Sequence, residues 1–313
     1  MPPVDRDNPQ RAATMPGAAF SLMEFMREFP DDRACLEWLW RNRYSQDGEH
    51  AYCPSCDRER KFHKVRERPA WDCDSCGQHL HPLAGTIFHK SSTSLHLWFY
   101  AIHLMTSTGC GLSAKQLERE LGVTYKTAWR MFNLILNELM ADETGPLEGE
   151  VEVDETSVDG KPRKHLPRSQ ASKLRERSRA TVVAAVERGG RIKATVLPSR
   201  RGPALPAQVI EWVVPESVVF TDEWPAYNQL GVHFFGHERV RHSTGEYVVG
   251  NAHTNTVEGF FGNLKTGIRG NYKKVSHKWL QCYLNEFTFR YNHRTDETPM
   301  FRTLLLRAAR ARS

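Results

Sequence analysis

Three acidic stretches and one set of four cysteines have residue types and spacings suited to chemistry. In Val151-Glu-Val-Asp154-Glu155, Val151 and Val153 alternate with Glu150, Glu152 and Asp154, the period-two pattern of a strand with one buried face. Its end delivers the Asp154 carboxylate. Ser217-Val-Val-Phe-Thr-Asp222 reads as a second apolar strand ending in an acid, and Asn255-Thr-Val-Glu258 opens a helical pattern carrying a third. Two-metal phosphoryl transfer needs several carboxylates converging on hard cations, and oxygen ligands suit Mg²⁺ or Mn²⁺. Asp154, Asp222 and Glu258 are therefore the candidate catalytic and magnesium-binding residues.

The third position admits two readings. Asn255, Glu258, Gly262, Lys265 and Arg269 step by three and four and share one helix face. Val257, Phe260, Phe261, Leu264 and Ile268 form the opposite, buried face. Glu258 carries charge and is the favoured ligand; Asn255 is the alternative, and Lys265 is placed to meet a phosphate as a point charge. Gly259 and Gly262 would let a DNA backbone approach that face closely.

Cys53-Pro-Ser-Cys56 and Cys73-Asp-Ser-Cys76 are separated by sixteen residues, the arrangement of two knuckles around one structural Zn²⁺. So small a ribbon has little core of its own, and its fold should require the metal. His79 and His81 follow closely but are surplus to a complete four-thiolate shell, while Cys35, Cys110 and Cys282 read as packing residues.

Around these residues the chain divides into a mobile leader at 1–18, a helix and zinc ribbon at 19–90, a helical segment at 91–145, a catalytic region at 146–295 and a tail at 296–313. In the helical segment, Leu95–Met105 is an apolar helix. Ser113 and Thr124 then sit where caps belong, and Gly122 sits at a turn, which is the helix-turn-helix pattern. The second helix should bury Ala128, Met131, Phe132 and Ile135 and present Tyr125, Lys126 and Arg130 to DNA. The catalytic region runs strand, hairpin across Arg188-Gly-Gly-Arg191, helix at Ala207–Val214, strand, then helices to the end. That order fits an α/β fold, a mixed sheet flanked by helices.

The net charge of +6 over 313 residues is unevenly placed. Residues 160–179 hold Lys161, Arg163, Lys164, Arg168, Lys173, Arg175, Arg177 and Arg179 against Glu176 alone, a net +7, so the insert is the expected phosphate-contacting loop. No segment approaches the roughly 20 apolar residues that span a bilayer, and the leader lacks the apolar run of a secretory signal. A cytoplasmic protein is expected, nucleoid-associated if bacterial.

Taken together, these stretches resemble the bacterial insertion-sequence transposases of the zinc-ribbon type, within the Asp-Asp-Glu, ribonuclease-H-like superfamily. The resemblance covers roughly residues 20–295. It is carried by Cys53-Pro-Ser-Cys56, Gly85-Thr-Ile-Phe88, Ser113-Ala-Lys-Gln-Leu, Thr127-Ala-Trp-Arg130, Val151-Glu-Val-Asp-Glu155 and Phe220-Thr-Asp-Glu. It continues in His242-Ser-Thr-Gly-Glu-Tyr247, His253-Thr-Asn-Thr-Val-Glu-Gly259, Lys265-Thr-Gly-Ile-Arg-Gly270 and Phe289-Arg-Tyr-Asn292. The resemblance implies a ribonuclease-H-like catalytic domain with Asp154, Asp222 and Glu258 as the metal-binding triad, although relatives with Asn in third place keep Asn255 a candidate. The 35 residues between Asp222 and Glu258 are similar to the interval in related integrases, and Lys265 matches a basic position there. Asp159-Gly160 departs from the Gly-Gly-Lys turn of relatives. His242 and His253 flank the catalytic helix and could move protons or touch DNA.

The activity implied is DNA transposition: binding the element's terminal inverted repeats, nicking its ends with water and joining the freed 3′ hydroxyls to target DNA. The partners implied are double-stranded DNA and further copies of the chain, in a homodimer or larger synaptic assembly. Rival readings are a zinc-ribbon DNA-binding regulator, an inactive transposase copy, or a metal nuclease without strand transfer.

Overall fold

The computed structural model describes residues 19–109, 111–141, 144–159, 179–199, 203–239, 254–273 and 275–310. The leader, Cys110, His242, His253 and most of the basic insert, including Lys161, Arg163 and Lys164, lie outside them. The chain forms two compact units: one runs to Leu139 and resumes at His293, the other spans Met140–Asn292.

In the first unit, α1 (Leu22–Glu28) starts at a capping box between Ser21 and Glu24, and α2 (Asp32–Arg43) starts where Asp31 accepts the Ala34 amide. The ribbon follows as four antiparallel strands in order: β1 (His50–Cys53), β2 (Arg58–Lys64), β3 (Trp71–Cys73) and β4 (His79–Leu80). It is fixed to α2 by Trp40, fully buried, whose ring stacks on Trp71 at 4.6 Å. Three helices complete this part: α3 (Leu95–Ser107), α4 (Ala114–Leu121) and α5 (Tyr125–Leu134), the last continued by a π-helical turn to Leu139. Phe25, Phe29, Phe99 and Phe301 form the aromatic centre of the unit, Phe301 arriving on the C-terminal helix Met300–Ala309.

The second unit is built on a five-stranded mixed sheet. Its strands are β5 (Glu150–Asp159), β6 (Arg179–Glu187), β7 (Ile192–Leu197), β8 (Val218–Thr221) and β9 (Gly236–Arg239), in spatial order β7-β6-β5-β8-β9. The β5–β6–β7 ladder is antiparallel, whereas β8 and β9 run parallel to β5. One sheet face buries Val151, Val153, Val183 and Val219 under α6 (Ala204–Trp212), together with Tyr227 and Leu230. Helix α6 begins three residues before the sequence pattern suggests. Pro206 falls in its first turn, where the missing N–H has no intrahelical acceptor to lose. Helices α7 (Asn255–Gly267) and α8 (Leu280–Asn292) complete the unit. Gln281 of α8 accepts the Val196 amide at 2.9 Å, and Asn292 accepts that of Ile192 at 2.7 Å, so α8 is docked on β7. Buried Glu286 is paired with Arg290 at 2.9 Å and also takes the Tyr272 hydroxyl.

Candidate active site and zinc site

Parallel pairing brings two of the three predicted carboxylates together. Glu150, Val151 and Glu152 of β5 lie opposite Val218, Val219 and Phe220 of β8. Two further steps along both strands set Asp154 beside Asp222, just past the end of β8. Asp222 is held by the loop that follows: its Oδ1 accepts the Trp224 amide at 2.9 Å. Its carbonyl accepts the Thr221 hydroxyl at 2.9 Å, and that hydroxyl also meets His237 Nε2 at 2.9 Å. Burial, reinforced by Arg239, pulls His237 down to about 4, so the ring is neutral near pH 7 and its Nε2–H can donate to Thr221.

A third carboxylate joins them, and it is one the sequence reading passed over. Among the described residues, one oxygen each from Asp154, Glu155 and Asp222 lies within 4.8 Å of the other two. Glu155 shares the Val151 and Val153 face by the period of two, and it is buried. An acid on an apolar strand face must have a partner, and that was the available signal. The partner is the fully buried Tyr227, whose hydroxyl donates to Glu155 Oε2 and whose own pKa is raised, first by burial and then by the Glu155 charge.

Glu258 is not part of this set. It stands exposed on the first turn of α7, its Oε1 taking the Thr254 hydroxyl at 3.2 Å. Its charge nevertheless reaches the cluster. Burial pushes the Asp154 carboxyl up to about 7, and the charges of Glu155, Asp222 and Glu258 add to it in that order. Four acids crowded together in a partly dry site repel one another, and a divalent cation relieves that repulsion. The carboxylate oxygens of Asp154, Glu155 and Asp222 are the hard ligands Mg²⁺ or Mn²⁺ takes, so these residues fit the metal. Asn255 and Gly262 are exposed beside Glu258 on the open face of α7, with Lys265 half-buried, and Arg269 is exposed in the π-helical turn Ile268–Tyr272 that continues the helix. Val257, Phe260, Phe261, Leu264 and Ile268 are buried, as their spacing predicts.

In the first unit, the four cysteine sulfurs also lie within 4.8 Å of one another. Cys53 Sγ is 3.5 Å from Cys76 Sγ, and Cys56 Sγ is 3.9 Å from Cys73 Sγ. A tetrahedral Zn²⁺ with Zn–S bonds of about 2.3 Å separates its sulfurs by about 3.8 Å, so this set fits zinc with little adjustment. Ser113 and Thr124 cap α4 and α5 as read from the sequence, and Gly122 ends α4 in the left-handed region at φ +64°. Ala128, Met131, Phe132 and Ile135 are buried, while Tyr125, Lys126 and Arg130 are exposed on α5. The Lys115 ammonium lies 5.5 Å over the Tyr125 ring, and Arg130 lies 5.8 Å over Trp98.

The carboxylate-bearing unit also matches a known family of domains. Residues 146–292 match the model of the ISXO2-like transposase domain. Over that segment the chain is similar to transposase domains of insertion sequences. It is 29% identical over 265 residues to the "uncharacterized protein in transposable element ISH50" of Halobacterium salinarum, covering 80% of this chain and 86% of that protein. It is 26% identical over 103 residues to an "uncharacterized transposase-like protein" of Haemophilus influenzae, a match covering 33% of this chain and 82% of that one. Among the described residues, no helix is long and apolar enough to cross a membrane.

Proposed function

We propose that this chain is an active DNA transposase that binds the terminal inverted repeats of its element, cuts the element ends and transfers the freed 3′ ends to target DNA. The observation that carries the reading is the meeting of Asp154 and Glu155, midway along β5, with Asp222, just past the end of the adjacent parallel strand β8, within the segment that matches a transposase domain. The mixed sheet flanked by helices supports a ribonuclease-H-like assignment for that unit.

In this reading Asp154 and Asp222 hold the cations, with Glu258 or Asn255 supplying the third ligand from α7 and Glu155 as a fourth acid at the same point. Bound Mg²⁺ or Mn²⁺ supplies a more acidic water and screens the phosphate charge. The protein's own groups orient the DNA. Lys265 and Arg269, on the exposed face that also carries Glu258, meet phosphates flanking the scissile bond. Gly259 and Gly262 leave that face bare, since a Cβ at either would touch nothing within 4 Å. In cleavage, water adds to phosphorus and the P–O3′ bond breaks, leaving a 3′ hydroxyl. In transfer, that hydroxyl attacks a target phosphodiester and displaces the target strand's own 3′ oxygen.

The zinc ribbon and the α4–α5 pair supply end recognition, with Tyr125, Lys126 and Arg130 in the groove. Lys161, Arg163 and Lys164 of the insert add sequence-independent phosphate contacts. Two ends must be joined to one target, so the working form holds at least two copies of the chain.

The test is joining as well as cutting. A fragment bearing the gene and several hundred bases of native flank is incubated with protein, Mn²⁺ and a supercoiled target plasmid, and the junctions are sequenced. Element ends covalently joined to plasmid are expected. Breaks without junctions would instead assign a nuclease.

A further inference from the structure

Helix α7 is the element that must bring Glu258 to the strand-borne acids, yet its own sequence does not cap it. The first amides of a helix have no intrahelical acceptor, and a Ser, Thr, Asn or Asp at the N-cap normally supplies one. Thr254 occupies that position and makes no capping bond; its hydroxyl goes to Glu258 instead. The acceptor comes from 104 residues away. Glu152 Oε2 takes the amides of Thr256 at 2.8 Å and Val257 at 3.3 Å, and Oε1 takes the Thr256 hydroxyl at 3.0 Å.

The same carboxylate is fully buried and lies two residues before Asp154, on the same face of β5. Its charge is balanced by the positive end of the α7 dipole and by Arg188, whose Nε donates to Glu152 Oε1 at 3.1 Å. Arg188 also holds Glu150 at 2.7 Å, and its guanidinium lies 4.0 Å over the ring of Phe220, two residues before Asp222. One buried network thus touches all three segments that carry the site: β5 with Asp154, β8 with Asp222 and α7 with Glu258.

We propose that Glu152 is a positioning residue for catalysis: by capping α7 from β5, it fixes Glu258 relative to Asp154 and leaves Thr254 free to orient the Glu258 carboxylate. The inference rests on the reading that Asp154 and Glu258 serve one metal centre. A glutamate that merely fills the interior would affect folding alone, whereas a positioning glutamate sets metal affinity in the folded protein.

The experiment uses the full chain loaded with zinc and titrates Mn²⁺ by electron paramagnetic resonance, following amide exchange at Thr256 and Val257 in parallel. Glu152→Gln should weaken Mn²⁺ binding about 10- to 100-fold, the usual cost of removing a group that orients metal ligands. It should speed exchange at those two amides while zinc content and DNA affinity stay at the native level. A folded Glu152→Gln protein with Mn²⁺ affinity within twofold of native overturns the proposal. If that variant does not fold, Thr256→Val, which removes only the hydroxyl bond, is read the same way. A loss of roughly 5-fold is then expected, and native affinity is the contrary result. Asp154→Asn separates the two levels. If it too binds Mn²⁺ like the native chain, the metal-site reading itself fails. If it alone loses Mn²⁺, only the role given to Glu152 fails.

Discussion

Tyr227→Phe removes one oxygen from the interior of the second unit, and its effect can be worked from the contacts. The ring is fully buried, packed with Val151, Val153, Leu205 and Leu230, and Phe keeps that packing. What is lost is the hydroxyl that donates to the buried Glu155 carboxylate. A hydrogen bond to a charged group contributes about 1.5–3 kcal/mol, and leaving the acceptor buried keeps the loss toward the upper half, about 2–3 kcal/mol. For a unit of this size each kcal/mol moves the midpoint by about 2–4 °C, so a drop of about 4–12 °C is expected. Scanning calorimetry without added divalent ions reads it, the relevant transition being the one that Mn²⁺ shifts upward. A midpoint within 1 °C of the native chain would refute the reasoning, because it would mean that Glu155 does not depend on Tyr227 for its burial.

Three further predictions concern other parts of the molecule. Cys56→Ser should lower bound zinc from one equivalent per chain to none by elemental analysis and unfold the ribbon, since the remaining three thiolates cannot close the shell. Gly122→Ala should cost about 1 kcal/mol in denaturant unfolding, because φ +64° strains an L-residue while its Cβ would meet nothing within 4 Å; Gly122→Asn should cost less. His237 is held neutral in the fold with a pKa near 4, below the ordinary 6.5. The unfolded chain therefore takes up a proton that the native one refuses. The stability difference between the native chain and His237→Gln should shrink as pH falls from about 6.5 toward 4, and urea midpoints measured across that range check it.

What the sequence made legible follows from local rules. The alternation of Val151 and Val153 with the acids marks β5, and the helical spacing of Val257, Phe260, Phe261 and Leu264 marks the buried face of α7. Ser113 and Thr124 announce their helices, and two Cys-x-x-Cys pairs announce a closed metal shell. Each is a pattern within a few residues or a chemistry with few alternatives. The misses are long-range. Nothing near Glu152 says that it caps a helix 104 residues on, and nothing near Thr254 says that its hydroxyl is turned elsewhere. Strand β9, Gly-His-Glu-Arg, has no apolar alternation; as an edge strand it is defined by its parallel partner β8 rather than by its own burial. Glu155 was readable in principle, because period two puts it among the buried valines, but only the fold shows that Tyr227 stands ready to receive it.

The most direct test of the account is cleavage by the Asp154→Asn chain beside the native one. Both are incubated with Mg²⁺ or Mn²⁺ and the gene with its native flanks, and every break is mapped. The account predicts metal-dependent breaks at a pair of inverted repeats with the native chain and none with Asp154→Asn, both proteins binding those ends equally. Equal cleavage by the two chains would contradict it and would place the chemistry away from the carboxylates of β5 and β8.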